Sequence, residues 1–83
     1  MKMTLVYPSW RKLDRQTEFH LPPHGPVVFA ATVPPGVSLT FVDENLQEID
    51  FGAACDLVGI SVMLTCQLPR AFEIARRYRE RGV

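Results

Sequence analysis

Apolar residues along the chain fall into two kinds of run. Met3 to Tyr7 (Met-Thr-Leu-Val-Tyr), Ser38 to Val42 (Ser-Leu-Thr-Phe-Val) and Leu57 to Leu64 (Leu-Val-Gly-Ile-Ser-Val-Met-Leu) are short and rich in β-branched or aromatic residues, and they predict strands over 3–7, 38–42 and 57–64. The third run has no polar position apart from Ser61, which suits a strand buried on both faces. The second kind repeats at helical spacing. Ala71, Ile74, Ala75 and Tyr78, flanked by Leu68 and Phe72, lie opposite Arg70, Glu73, Arg76, Arg77, Arg79 and Glu80, and this predicts an amphipathic helix over 67–81. Glu73 precedes Arg76 and Arg77 by one turn, and Gly82 is placed to end the helix. Between the first two strands, Val27 to Val33 predicts a two-turn helix over 26–33, opened by Pro26 and stopped by Pro34 and Pro35. Being almost wholly apolar, that helix is expected to be buried on most sides. Ser9 to Pro23 has no period and reads as a long first loop.

Strand, loop, helix, strand, crossover, strand, helix is the order of an α/β domain with a parallel sheet and right-handed crossovers. The expected architecture is a single domain over 1–83: a partial doubly wound sheet, Rossmann-like or flavodoxin-like, with three strands in the order 2-1-3 and two helices, truncated before a fourth strand. Strand three would then be an open edge through which the chain associates with itself. Sheets of this kind bind ligands beyond the carboxyl ends of their strands, where the strand order switches. Three segments meet that criterion: Pro8-Ser9-Trp10 after strand one, Asp43-Glu44-Asn45 after strand two, and Met63-Leu64-Thr65-Cys66 after strand three.

Composition narrows the ligand. Nine basic and nine acidic residues cancel, so neither nucleic acid nor an anionic membrane is expected as a partner, and the arginines near the end of the chain read as a solvated helix face. No apolar run approaches the roughly 20 residues that span a bilayer, and no signal-peptide pattern opens the chain. Cys55 and Cys66 are too few for a disulfide framework and match no metal spacing, so a reducing cytoplasm is the expected compartment.

The loop after strand one, Pro8-Ser9-Trp10-Arg11, lacks the glycines of a dinucleotide-binding turn, and Gly-Lys-Ser/Thr occurs nowhere. Strand three ends without the aspartate of a receiver domain. The long, charged first loop is unlike the short Ser/Thr-rich phosphate loop of a flavodoxin. What remains is a larger, mostly uncharged ligand. Trp10 would cover a flat ligand or anchor its own loop. Asp43, Glu44 and Asn45 would bond ligand hydroxyls or amides or simply end their strand. Ser61 would meet the ligand or satisfy backbone. Met63 and Leu64 would line a pocket floor or pack in the core, and Thr65 would bind ligand or cap the following helix. His20 and His24 are candidate contacts or loop-surface residues. No nucleophile–base pair is in view.

Leu21 to Ala31, Val37 to Asn45 and Asp56 to Ser61 (Asp-Leu-Val-Gly-Ile-Ser), followed by Ala71, Ile74, Ala75 and Gly82, resemble the N-terminal cobalamin-binding domain of radical S-adenosylmethionine enzymes in order and spacing, over nearly the whole chain from Leu5. The resemblance implies a cobalamin-binding module, or a fragment derived from one, without catalytic activity of its own. Implied contacts are Pro8, Ser9, Trp10, His24, Asp43, Asn45, Ser61, Met63, Leu64 and Thr65. The Asp-x-His-x-x-Gly motif that supplies a cobalt-coordinating histidine in some cobalamin proteins does not occur, so the resemblance implies a lower cobalt face without that ligand. The Cys-x-x-x-Cys-x-x-Cys motif is also absent, so an iron–sulfur cluster and S-adenosylmethionine would belong only to a longer parent enzyme. The alternative is a ligand-free interaction fragment that pairs through its sheet edge.

Overall fold

A computed structural model describes residues 1–10 and 23–83. Segment 11–22, with His20 and most of the long first loop, lies outside the described residues. The elements are β1 (Lys2–Tyr7), α1 (His24–Ala31), β2 (Ser38–Asp43), β3 (Leu57–Ile60), a short 3-10 turn (Thr65–Gln67) and α2 (Leu68–Glu80). The sheet is parallel throughout and ordered β2-β1-β3, as the alternation of elements predicts.

β1 is central, and its sequence suits that place: Met3, Leu5, Val6 and Tyr7 are all buried, so both faces are apolar. Its register sets Val6 beside Val42 on one side and Ile60 on the other. That row, with Val58, faces α2, whose Ile74 and Tyr78 complete the core with Val6 and Val42. Met3, Leu5 and Tyr7 alternate onto the opposite face. Gly59 makes room there. A Cβ at that position would stand 2.9 Å from the Met3 methyl and 3.2 Å from a Leu5 methyl, so both side chains lie over β3 because glycine leaves the space.

α2 buries Ala71, Ile74 and Tyr78, a single stripe at helical spacing that Gln67 of the preceding turn extends. Its exposed face holds ion pairs Arg70–Glu73 (2.9 Å) and Arg76–Glu80 (3.4 Å). Glu73 thus pairs backwards, with Arg70, rather than forwards with Arg76 or Arg77. Gly82 ends the helix at φ +84°, with its own N–H donating to the Arg79 carbonyl and that of Val83 to Tyr78. The turn folds Val83 back onto the core. Gly82→Ala is expected to cost about 1–2 kcal/mol in urea denaturation, because a Cβ is strained in the left-handed region. A loss below about 0.3 kcal/mol would count against this termination, given typical scatter between surface variants.

Four expectations are corrected. β3 stops at Ile60 and does not reach residue 64; the Ser61 N–H still donates to the Val6 carbonyl (2.8 Å), but those of Met63 and Leu64 turn to a side chain. Nor is β3 buried on both faces: Leu57 is exposed, because the strand lies at the sheet edge. α1 begins at His24, two residues before Pro26, which the missing N–H permits because the first-turn donors have no intrahelical partner. Its burial is also reversed, with Val27 56%, Val28 48% and Phe29 47% exposed and Pro26 the only buried residue within it. Its apolar residues point all round a two-turn helix, so one docked side cannot cover them.

Candidate functional site

The lips of the crevice at the carboxyl end of the sheet are the segments that leave β1 and β3, and a glutamine joins them. Gln67 continues the buried stripe of α2 one turn upstream, which turns its side chain into the body, where it is completely enclosed. Its amide nitrogen donates to the Pro8 carbonyl (2.8 Å), and its oxygen accepts from the N–H groups of Met63 and Leu64 (2.9 Å each). The Tyr7 hydroxyl lies against the same carboxamide. Burial pushes the Tyr7 phenol above its ordinary range, the hydrogen bond with Gln67 offsets part of that, and Asp43 and Cys66 add to the rise. An enclosed polar side chain with both ends bonded contributes stability without the penalty of an orphaned group.

A second tie reaches the same lip from the other side. Ser9 donates to Glu44 Oε1 through its N–H (3.1 Å) and its hydroxyl (2.8 Å). Arg70 of α2 grips the same carboxylate, its Nε donating to Oε1 (2.9 Å) and Oε2 (3.0 Å) and its Nη2 to Oε2. The Arg70 bonds hold the Glu44 carboxyl down to about 2, against a smaller opposing effect of burial, with the two Ser9 bonds adding to the fall. Arg70 is raised in turn, first by its bonds to Glu44. Beside this tie lies an open cleft of about 490 Å³ lined by Ser9, Glu48 and Arg70, where the Arg77 guanidinium sits 3.8 Å from the centre of the Phe51 ring.

The residues expected at the site are therefore gathered unequally. Pro8, Met63 and Leu64 meet through Gln67, and Ser9 joins them through Glu44. Trp10 packs edge-on against Tyr7, with ring centres 6.0 Å apart. Asp43 is buried opposite Tyr7, where one of its oxygens accepts from the Asn45 backbone (2.9 Å) and side chain (3.0 Å), so this pair closes the end of β2. Ser61 continues the pairing with β1 through its N–H. Thr65 is exposed as the first residue of the 3-10 turn, and Gln67 rather than Thr65 holds the position before α2. His24 is exposed at the first position of α1 and enters none of these hydrogen bonds.

Gln67, Arg70 and the role of Glu44 escape a reading of motifs, yet the sequence signals Gln67. Positions 67, 71, 74 and 78 share one helical face, so a polar residue stands in line with three buried apolar ones.

The outward side chains of the β3 lip from Val62 to Leu64 are apolar, whereas the β1 side of the crevice carries the charges of Glu44 and Arg70. Val62, Met63 (64% exposed) and Leu64 (39% exposed) stand at the β3 lip, and the main-chain donors of Met63 and Leu64 are already used. Among the described residues, no group of three or more His, Cys, Asp or Glu side chains could hold a metal ion. Cys55 and Cys66 are free thiols, and no helix of the described residues is long and apolar enough to cross a membrane. Comparison with known protein families, curated proteins and solved structures yields no match to this chain.

Proposed function

We propose that this chain is a cobalamin-binding module of a cobalamin-dependent radical S-adenosylmethionine enzyme, or a fragment derived from one, and that it binds and orients the cofactor without catalysis of its own. The observation that carries this reading is the β3 lip. Crevices of this topology hold phosphate on free main-chain N–H groups, most often in the turn after the first strand. At the β3 lip Gln67 occupies the donors of Met63 and Leu64, and the lip displays their side chains, surface suited to a large and mostly uncharged ligand. The sequence resemblance over Leu21–Ala31, Val37–Asn45 and Asp56–Ser61 selects cobalamin within that class. Met63 and Leu64 would hold one edge of the macrocycle and Trp10 the other, with Ser61, Thr65 and Asn45 as partners for its amides and hydroxyls. When bound, the cofactor supplies cobalt-centred chemistry to a catalytic domain carrying the iron–sulfur cluster and S-adenosylmethionine; this chain supplies fit and orientation.

Hydroxocobalamin added to the purified protein should change the visible spectrum saturably at micromolar concentration. Met63→Asp with Leu64→Asp should weaken uptake at least about tenfold, since charge on an apolar contact surface costs more than the roughly 1.4 kcal/mol of a decade. Both side chains are exposed, so stability should stay within about 0.5 kcal/mol. An unchanged spectrum with wild-type protein would sink the proposal.

One feature favours a second reading, an interaction fragment without ligand: β3 lies at the sheet edge with Leu57 exposed beside it. Sedimentation velocity separates the two, because that reading requires a concentration-dependent dimer and no cobalamin uptake.

A further inference from the structure

We infer that Gln67 is the positioning residue of this crevice, fixing the separation of the β1 and β3 lips and thereby the affinity for a ligand of corrin size; the inference rests on the reading of the site given above.

The sheet itself does not set that separation. β1 ends at Tyr7 and β3 at Ile60, and the lips begin beyond both. Past those ends the Ser61 N–H to Val6 is the last main-chain bond of this pairing, and the carboxamide of Gln67 then spans from Pro8 to Met63 and Leu64. Its geometry is demanding. The oxygen takes two donors from one lip while the nitrogen gives a hydrogen to the other, so only a side chain that both accepts and donates completes the bridge. The same bonds turn the N–H groups of Met63 and Leu64 inward, and their side chains stand outward as the contact surface. On the far side, Ser9 donates to Glu44, whose carboxylate Arg70 grips in turn. The β1 lip is thus braced from two directions, and Trp10, the chain's single tryptophan, reports its position through Tyr7.

Gln67→Glu and Gln67→Leu test the bridge. In Gln67→Glu the carboxylate still accepts from Met63 and Leu64 but has no hydrogen for the Pro8 carbonyl. An enclosed carboxyl facing a carbonyl ionises less readily than in water, and its protonated form restores the missing donor. Hydroxocobalamin affinity of Gln67→Glu should therefore be reduced about tenfold at pH 8, the scale of one buried hydrogen bond, and return to about twofold of wild type at pH 5. The Trp10 emission, recorded without ligand, should follow the same pH course. The other titratable groups around the bridge, the Tyr7 hydroxyl, the Asp43 carboxylate and the Cys66 thiol, are common to wild type and variant and cancel in the ratio. Gln67→Leu should lose affinity at both pH values and show the shifted emission at both. Should Gln67→Leu be unfolded in urea titration, Gln67→Glu carries the test alone.

Affinity within twofold of wild type at pH 8 in Gln67→Glu, with Trp10 emission unchanged, would overturn the inference. Wild-type protein that takes up no hydroxocobalamin would instead refute the reading of the site, and the Trp10 response of Gln67→Glu to pH would still decide whether Gln67 sets the lips.

Discussion

Replacing Ile74 with alanine is expected to lower the unfolding free energy by about 2–5 kcal/mol. Ile74 is completely buried at the centre of the α2 stripe, packed with Val6, Val42 and Tyr78 against the sheet. Truncation removes three carbons from the middle of that cluster. The cavity can close only if α2 moves toward a sheet whose registers are fixed by main-chain bonds on both sides of β1. The cost therefore lies above the transfer free energy alone. Domains of this size are stable by about 5–15 kcal/mol at most, so the variant should sit near the edge of folding, with Tm lower by roughly 10 °C or more. Urea denaturation of the variant beside wild type measures the loss. A change under about 1 kcal/mol would mean that α2 does not pack on the sheet as described.

Glu44→Gln should be the next most damaging change, and its effect should depend on pH in a defined direction. The Glu44 carboxyl is held down to about 2, chiefly by Arg70. A depressed carboxyl stabilises the folded state fully above its ordinary value near 4.5, and the contribution disappears as the pH falls through about 2. The shift corresponds to at most about 3 kcal/mol, and solvent screening at the part-exposed Arg70 reduces this to about 1–2 kcal/mol. At pH 7 the variant should be less stable by that amount. Between pH 4.5 and pH 2 the two proteins should converge, because wild type loses what the variant never had. Thermal denaturation at half-unit steps from pH 2 to pH 7 reads the difference directly. Parallel curves across that window would show that the carboxylate is not held by its partners. Since Ser9 hangs from the same carboxylate, the variant should also loosen the β1 lip.

The strands and their order were legible because each rests on a single physical signal. Met3–Tyr7 reads as central since apolar residues occupy both alternating faces, and the helix over α2 is declared by one buried stripe opposite paired charges. The position of the crevice follows from topology alone. The legible part ends where side chains replace main-chain pairing. Ser61 to Leu64 reads as strand, because nothing in a run of apolar residues announces that a glutamine downstream will take its N–H groups. The ion pair of Glu44 with Arg70 joins residues 26 apart in the chain, one assigned to an acidic loop and the other to a solvated helix face, and neither segment encodes the meeting. α1 failed in the opposite sense. Its composition signals burial, but an apolar helix without a preferred side specifies no surface to bury against.

The order β2-β1-β3 also sets the sequence of events in folding. The strand made first is the one that needs both neighbours, and its second neighbour, β3, pairs with it across more than fifty residues of chain, Asp56 closing on Lys2. At about 5–20 residues per second, β1 waits several seconds during synthesis before Leu57 to Ile60 exist to meet it. β2 arrives earlier, but two strands alone make no stable sheet, so the apolar faces of β1 stay uncovered until β3 and α2 are present to close over them. Contacts of such long separation slow folding, since loop closure precedes any gain from pairing. The most buried strand of the finished domain is thus the one exposed longest while it is being made.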